Sequence, residues 1–211
     1  CYFNIVKLTK GGSFTSKVEG YETCLVPATG SIDVNVAGQR FEAVGKRMHI
    51  WQGEPEGVYV PVGTQVTFTC VSDAAEIFVS GAKHDEVYEP FVVREADIDP
   101  VQYGSDDTKT HRKIKHILGK AQAGKVGRLL VSELFTVGAG GWSGFPPHKH
   151  DTDALPTETR HDEVYNFRFN PEHGFGAQFL TQEGEDMGDV YHIRNSSTIQ
   201  IEKGYHPCVA G

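Results

Sequence analysis

The 211-residue chain is 38% apolar and 23% charged, enough to bury the core of one large domain or two small ones without disulfide staples. Its 28 acidic and 20 basic residues leave a net charge of −8, which argues against a general nucleic-acid partner, and no apolar run is long enough to cross a membrane. Four cysteines, Cys1, Cys24, Cys70 and Cys208, form no CxxC pair and no dense framework, so reduced thiols in a cytoplasmic protein are expected. The chain opens at Cys1, without a Met, inside a strand-like stretch, and so reads as part of a longer protein.

Short Val-, Phe-, Tyr- and Thr-containing runs broken by Gly, Pro, Asn or Asp recur along the chain, with 24 glycines in all, and predict many short strands. Residues 31–36 alternate strictly, with Ile32, Val34 and Val36 on one face and Ser31, Asp33 and Asn35 on the other. The turn Ala37-Gly38-Gln39 then leads into 40–44, which makes the pair a hairpin. Strands are also expected at 58–62, 66–71 and 76–79. The best helical candidate, 113–121, is short and interrupted by Gly119, and Lys113, Lys115 and Lys120 read as its solvated face. Further strands follow at 129–137, 161–169, 175–181 and 197–201, so the expected fold class is all-β.

An internal repeat organises these elements. Leu8-Thr9-Lys10-Gly11-Gly12-Ser13 resembles Phe135-Thr136-Val137-Gly138-Ala139-Gly140, each closing a strand on a Gly-rich turn. Glu22-Thr23-Cys24-Leu25 parallels Glu163-Val164-Tyr165-Asn166, and Val60-Pro61-Val62-Gly63-Thr64-Gln65 parallels Ile201-Glu202-Lys203-Gly204-Tyr205-His206. The expectation is two tandem β-barrels, 1–82 and 126–211, joined by a polar connecting segment, 83–125. The first copy continues past Gln65 through two strands, whereas five residues follow His206, so the second barrel is expected to lack its last strands within this chain.

The densest polar cluster is Phe145-Pro146-Pro147-His148-Lys149-His150-Asp151. On a strand, residues i and i+2 face the same side, so His148 and His150 can present two imidazoles to one point while Lys149 turns away. In 161–169, Glu163 shares a face with Tyr165, Phe167 and Phe169, and a carboxylate on an aromatic face needs a cationic partner. His206, after the Gly204 turn and at the start of a strand, is the fourth candidate. Three imidazoles and one carboxylate suit one divalent transition metal, Zn, Mn, Fe, Co or Ni. The first copy has Glu22 at the matching place but Gln65 where the second has His206, and it has no HxH, so the chemistry is expected in the second copy alone. Alternation also puts His161 on the Glu163 face. Tyr165 reads as core or catalytic, and Gln178 as pocket-lining or solvated. Arg168 falls on the opposite face, in an outer salt bridge unless a bulge turns it. The other histidines read as ordinary.

HxH, a later Glu and a Gly-preceded His on strands resemble the metal site of the cupin superfamily, and two copies would make a bicupin. More narrowly, the 145–151 cluster resembles the 5-deoxy-glucuronate isomerase family of myo-inositol catabolism, together with Leu155-Pro156, Asp162-Glu163-Val164-Tyr165, Arg168-Phe169-Asn170-Pro171, Gly174-Phe175-Gly176-Ala177-Gln178 and Lys203-Gly204-Tyr205-His206-Pro207. The stretch from Gly104 to Leu118, with Arg112, matches more loosely. The long interval between HxH and Glu163 fits that family better than its relatives acting on deoxy-keto-uronates from pectin. Glu202 departs from the family's usual proline.

The resemblance implies His148, His150, Glu163 and His206 as metal ligands. It also implies an isomerase interconverting the aldehyde 5-deoxy-D-glucuronate and the ketone 2-deoxy-5-keto-D-gluconate by proton transfer through an enediol. His161, Tyr165 or hydroxide on the metal would be the base, and Gln178, Arg168 or Arg112 would hold the substrate carboxylate. The partner would be a small sugar acid, with neither nucleic acid nor membrane, and a homo-oligomer is the assembly considered. Competing readings are the pectin-branch isomerase, a non-catalytic sugar-acid-binding bicupin and an Fe(II) dioxygenase.

Overall fold

The computed structural model describes residues 1–138 and 140–210; Ala139, in the expected repeat turn, and Gly211, at the end of the expected second barrel, lie outside the described residues. The chain forms two compact units, Cys1–Pro100 with Lys115–Glu133, and Val101–Ile114 with Leu134–Gly211. The only helical turns among the described residues are the short 3-10 segments Glu95–Asp97 and Lys120–Gln122. Among the described residues no helix is long and apolar enough to cross a membrane.

The first unit contains β1 (Tyr2–Thr9), β2 (Ser13–Ser16), β3 (Tyr21–Thr29), β4 (Ile32–Val36), β5 (Gln39–Val44), β6 (Gly57–Val60), β7 (Val66–Cys70), β8 (Ala74–Lys83) and β9 (Phe91–Val93). They make two antiparallel sheets, ordered β1-β8-β3-β6-β9 and β2-β7-β4-β5. Leu25, Val58, Ile77 and Val79 of the first sheet share a core with Ile32, Val34, Val66 and Phe68 of the second. A second apolar cluster, including Cys24, Val26, Tyr59, Ile117, Leu118 and Leu129, uses the opposite face of β3 and β6. Burial on both faces leaves β3 with no alternation for a sequence reading to detect.

The expected hairpin is present: Val36 pairs with Gln39 across Ala37 (φ 49°) and Gly38 (φ 99°), both in the left-handed region that a two-residue hairpin turn requires. The helical candidate, in contrast, is the strand β11 (Arg112–Leu118), following β10 (Val101–Tyr103). Lys115 is not solvated; its buried ammonium pairs with Glu54 at 3.0 Å and with the Gly53 carbonyl. Alternation around Ile117, which buries Lys115 on the same face, overrides the weak helical pattern.

Glu22 ties this unit together. Its fully buried carboxylate accepts hydrogen bonds from the Gly127, Arg128 and Leu129 amides at 2.9, 2.5 and 2.8 Å, and from the Tyr59 hydroxyl at 2.7 Å. The turn leading to β12 (Val131–Thr136) is thereby pinned to β3.

The second unit contains β13 (Trp142–Ser143), β14 (Glu163–Asn166), β15 (Phe175–Leu180), β16 (Asp189–Arg194), β17 (Thr198–Ile201) and β18 (Cys208–Ala210). One sheet is ordered β13-β18-β15-β16, and β14 pairs with β17. Gly176 has a packing reason, since a Cβ there would lie 2.3 Å from the Val209 carbonyl oxygen. Two strand expectations need correction. The strand expected at 161–169 spans only Glu163–Asn166, so His161 lies outside it. His148 and His150 lie in extended chain without a regular ladder, where Pro146 and Pro147 have no N–H to donate.

Replacing Glu22 with Gln would turn an NH2 toward three backbone donors. The expected loss is about 3 kcal/mol of unfolding free energy, measured by urea denaturation against wild type.

Candidate metal centre

Four side chains expected from the sequence converge in the second unit. His148 and His150 come from the extended segment after β13, Glu163 opens β14, and His206 sits in the turn between β17 and β18. Ring nitrogens of His148, His150 and His206 all lie within 4.8 Å of one another. Glu163 Oε2 is 2.9 Å from His150 Nε2 and 3.4 Å from His206 Nε2. Lys149, between the two histidines, turns away as alternation requires and meets Asp151 and Glu158.

Backbone carbonyls orient two of the rings. His150 Nδ1 lies 2.8 Å from the His161 oxygen, and His206 Nδ1 lies 2.8 Å from the Gly204 oxygen. A carbonyl can only accept, so each Nδ1 carries a proton and each Nε2 faces the shared point. His206 is 1% exposed, and its buried Nε2 has no hydrogen-bond partner. An orphaned, inward-facing imidazole nitrogen beside two further imidazoles and a carboxylate fits a divalent transition metal.

The electrostatics agree. Burial pushes the Glu163 carboxyl up, but the facing His150 and His206 imidazoles, with the Tyr165 hydroxyl, outweigh it and hold the group well below the usual carboxylate range. Burial likewise lowers His150, yet Glu163 and the His161 carbonyl reverse the direction and raise it. His148 is lowered, first by burial and then by His206. Burial pushes the Cys208 thiol up to about 11.

The remaining expected residues are placed unevenly. Tyr165, part-buried, has its hydroxyl toward Glu163; burial first, then that carboxylate, raises its pKa well above the usual value. His161 is exposed and stacks on His150, with ring centroids 3.7 Å apart and planes at 15°. Gln178 is fully buried rather than solvated, and its Nε2 donates to the His206 carbonyl at 2.8 Å and the Pro207 carbonyl at 3.2 Å. Arg168 lies beyond the end of β14, its Nε donating to Asn166 Oδ1 at 2.9 Å. Arg112 is part-buried with a buried Nε that makes no hydrogen bond. Its charge reaches His148, Tyr165 and Cys208, although burial is the larger influence on each. Gly144 is a position the sequence reading missed. At φ 63°, a Cβ there would lie 3.3 Å from the His206 oxygen and 3.5 Å from His148 Cε1, so the bare backbone lets two ligand-bearing segments approach.

Comparison with known proteins follows the same line. The KduI/IolB family matches residues 1–211. A 5-deoxy-glucuronate isomerase of Geobacillus kaustophilus is 30% identical over 209 residues, covering 99% of this chain and 74% of that protein. The crystal structure of an IolB-like protein from Salmonella typhimurium superposes with a TM-score of 0.89 at 29% identity, over 98% of this chain and 76% of that one. An oxalate decarboxylase of Bacillus subtilis, described with Mn(II) centres, has a TM-score of 0.61 at 11% identity, covers 97% of this chain and 63% of its own, and is a likeness of fold.

The purified protein is expected to hold about one equivalent of a transition metal, and the double variant His148→Ala/His150→Ala to lose it. Elemental analysis of both measures this directly.

Proposed function

This chain belongs to the KduI/IolB family, and from that premise we propose that it interconverts 5-deoxy-D-glucuronate and 2-deoxy-5-keto-D-gluconate as an aldose–ketose isomerase. The observation that carries the reading is the convergence of His148, His150 and His206 with Glu163, in a chain whose relatives are 5-deoxy-glucuronate isomerases. These four residues would hold a divalent transition metal, which when bound supplies Lewis acidity to the substrate's carbonyl and adjacent hydroxyl oxygens. The long interval between His150 and Glu163 supports the inositol branch over the pectin branch, and the free cysteines suit a cytoplasmic enzyme.

Isomerisation requires one carbon to lose a proton and its neighbour to gain one, through an enediol. We assign the proton carrier to His161. Its Nδ1 lies 3.0 Å from the Thr159 carbonyl oxygen, which leaves Nε2 with a lone pair, and its ring stacks on His150 beside the centre. Tyr165 suits a different task. Burial and Glu163 keep its phenol protonated, so it holds the Glu163 carboxylate in place rather than removing a proton.

The substrate carboxylate needs a cation. Gln178 is engaged with the backbone that carries His206, and Arg168 is directed to Asn166, so both earlier candidates give way to Arg112. Its buried Nε without a hydrogen bond supports this assignment, because a guanidinium so placed gains from a planar carboxylate.

Two measurements test this reading. In D2O, NMR of the product is expected to show deuterium on the carbon that becomes protonated; full retention of hydrogen would indicate a hydride shift instead. Arg112→Leu is expected to raise KM by about 10–100-fold with a smaller effect on kcat, as lost charge-assisted hydrogen bonds to substrate would.

A further inference from the structure

Lys149 sits between two candidate metal ligands, and its ammonium organises the segments behind them. Nζ lies 2.9 Å from Asp151 Oδ1 and 3.1 and 2.9 Å from the two oxygens of Glu158, with Glu183 at 3.8 Å. The three principal side chains are largely covered, at 12% exposure for Lys149, 20% for Asp151 and 17% for Glu158. Each carboxylate then reaches a different piece of backbone.

Asp151 reaches the His206 turn. Its Oδ2 accepts the Gly204 N–H at 2.8 Å, and the Gly204 carbonyl is the acceptor that holds His206 Nδ1. The left-handed backbone of Gly204, φ 91°, lets one residue turn its N–H to Asp151 and its carbonyl to the imidazole. On its far side the turn is held by paired backbone bonds between Thr181 and Tyr205, so Asp151 links it to the segment carrying the other two histidines.

Glu158 reaches the His150 side. Its Oε1 accepts the Asp151 and Thr152 amides at 2.8 and 2.9 Å, closing the 151–162 loop on its own stem. Its backbone oxygen accepts the Ala154 amide, and Arg160 N donates to Asp153 Oδ1 at 3.1 Å. The loop thus delivers His161, whose carbonyl holds His150 Nδ1 while its amide donates to the His150 carbonyl.

We propose that Lys149, Asp151 and Glu158 form a positioning network in which one ammonium joins two carboxylates, Asp151 setting the tautomer and aim of His206 and Glu158 those of His150. None of the three touches the convergence point, so each acts through the backbone carbonyl facing a ring. The inference rests on the metal-holding reading of His148, His150, Glu163 and His206, but its central claim concerns imidazole protons and can be read without a metal.

Long-range 1H–15N correlation of the metal-free protein reports which ring nitrogen of each histidine carries the proton. In wild type, Nδ1 of both His150 and His206 is expected to be protonated. Asp151→Ala is expected to convert His206 to a mixture while sparing His150, and Glu158→Ala to do the reverse. Lys149→Met should loosen both, with Lys149→Arg restoring the wild-type pattern. Titration with Zn2+ and with Mn2+ is expected to show about tenfold weaker binding in each loosened variant. If an alanine variant fails to fold, Asp151→Asn and Glu158→Gln keep the side-chain shape, and the same partition between the two histidines is expected at smaller size. Unchanged tautomers in folded variants would overturn the proposal, even if their melting temperatures fell, because that pattern marks a purely structural role. Wild-type protein that takes up neither metal, yet shows the partitioned tautomers, would overturn the metal reading and leave the network standing.

Discussion

A buried imidazole nitrogen without a partner costs about 1–3 kcal/mol, and His206 Nε2 is such an atom. Much of the second unit is arranged so that this cost is incurred at one chosen point. Gln178 grips the His206 main chain from β15, and the Gly204 carbonyl holds Nδ1. Gly144 lets the His148 segment come close, and Gly176 lets β18 lie against β15. With its backbone and other nitrogen satisfied, the ring can direct its remaining lone pair only to the place His148, His150 and Glu163 also face. A cation there resolves the imidazole orphan and the buried carboxylate together.

Glu22 and Glu163, which the sequence repeat aligns, show two ways to keep a carboxylate inside a β protein. Glu22 is satisfied by three backbone amides and a phenol, all local to the first unit, and nothing remains for a ligand. Glu163 instead faces two imidazole nitrogens, at 2.9 and 3.4 Å, that can bind a metal with it. The difference lies in the neighbours rather than in the carboxylate. Gln65 in place of a histidine and the missing HxH leave the first unit with a structural clasp.

Local sequence made the chemistry-bearing residues legible. The spacing of His148 and His150 gave them a common side even where no regular strand formed, because alternation is a property of extended chain and not of ladder hydrogen bonds. The 113–121 stretch was misread because short apolar–polar runs fit both periods, and the burial of Lys115 and Ile117 that decides between them comes from residues distant in sequence. Gln178 was ambiguous for the same reason: its partner, the His206 carbonyl, is 28 residues away.

The sequence by itself determined the all-β class, the hairpin that follows residues 31–36 and the identity of the four converging side chains, since each follows from neighbours a few residues apart or from an internal repeat. Only the tertiary structure decided which backbone carbonyls fix the histidine protons, that Gln178 and Arg168 are turned elsewhere, and that Arg112 keeps a buried guanidinium nitrogen without a hydrogen bond. Those outcomes depend on which polar groups meet once water is excluded, and strand pairing across tens of residues settles that.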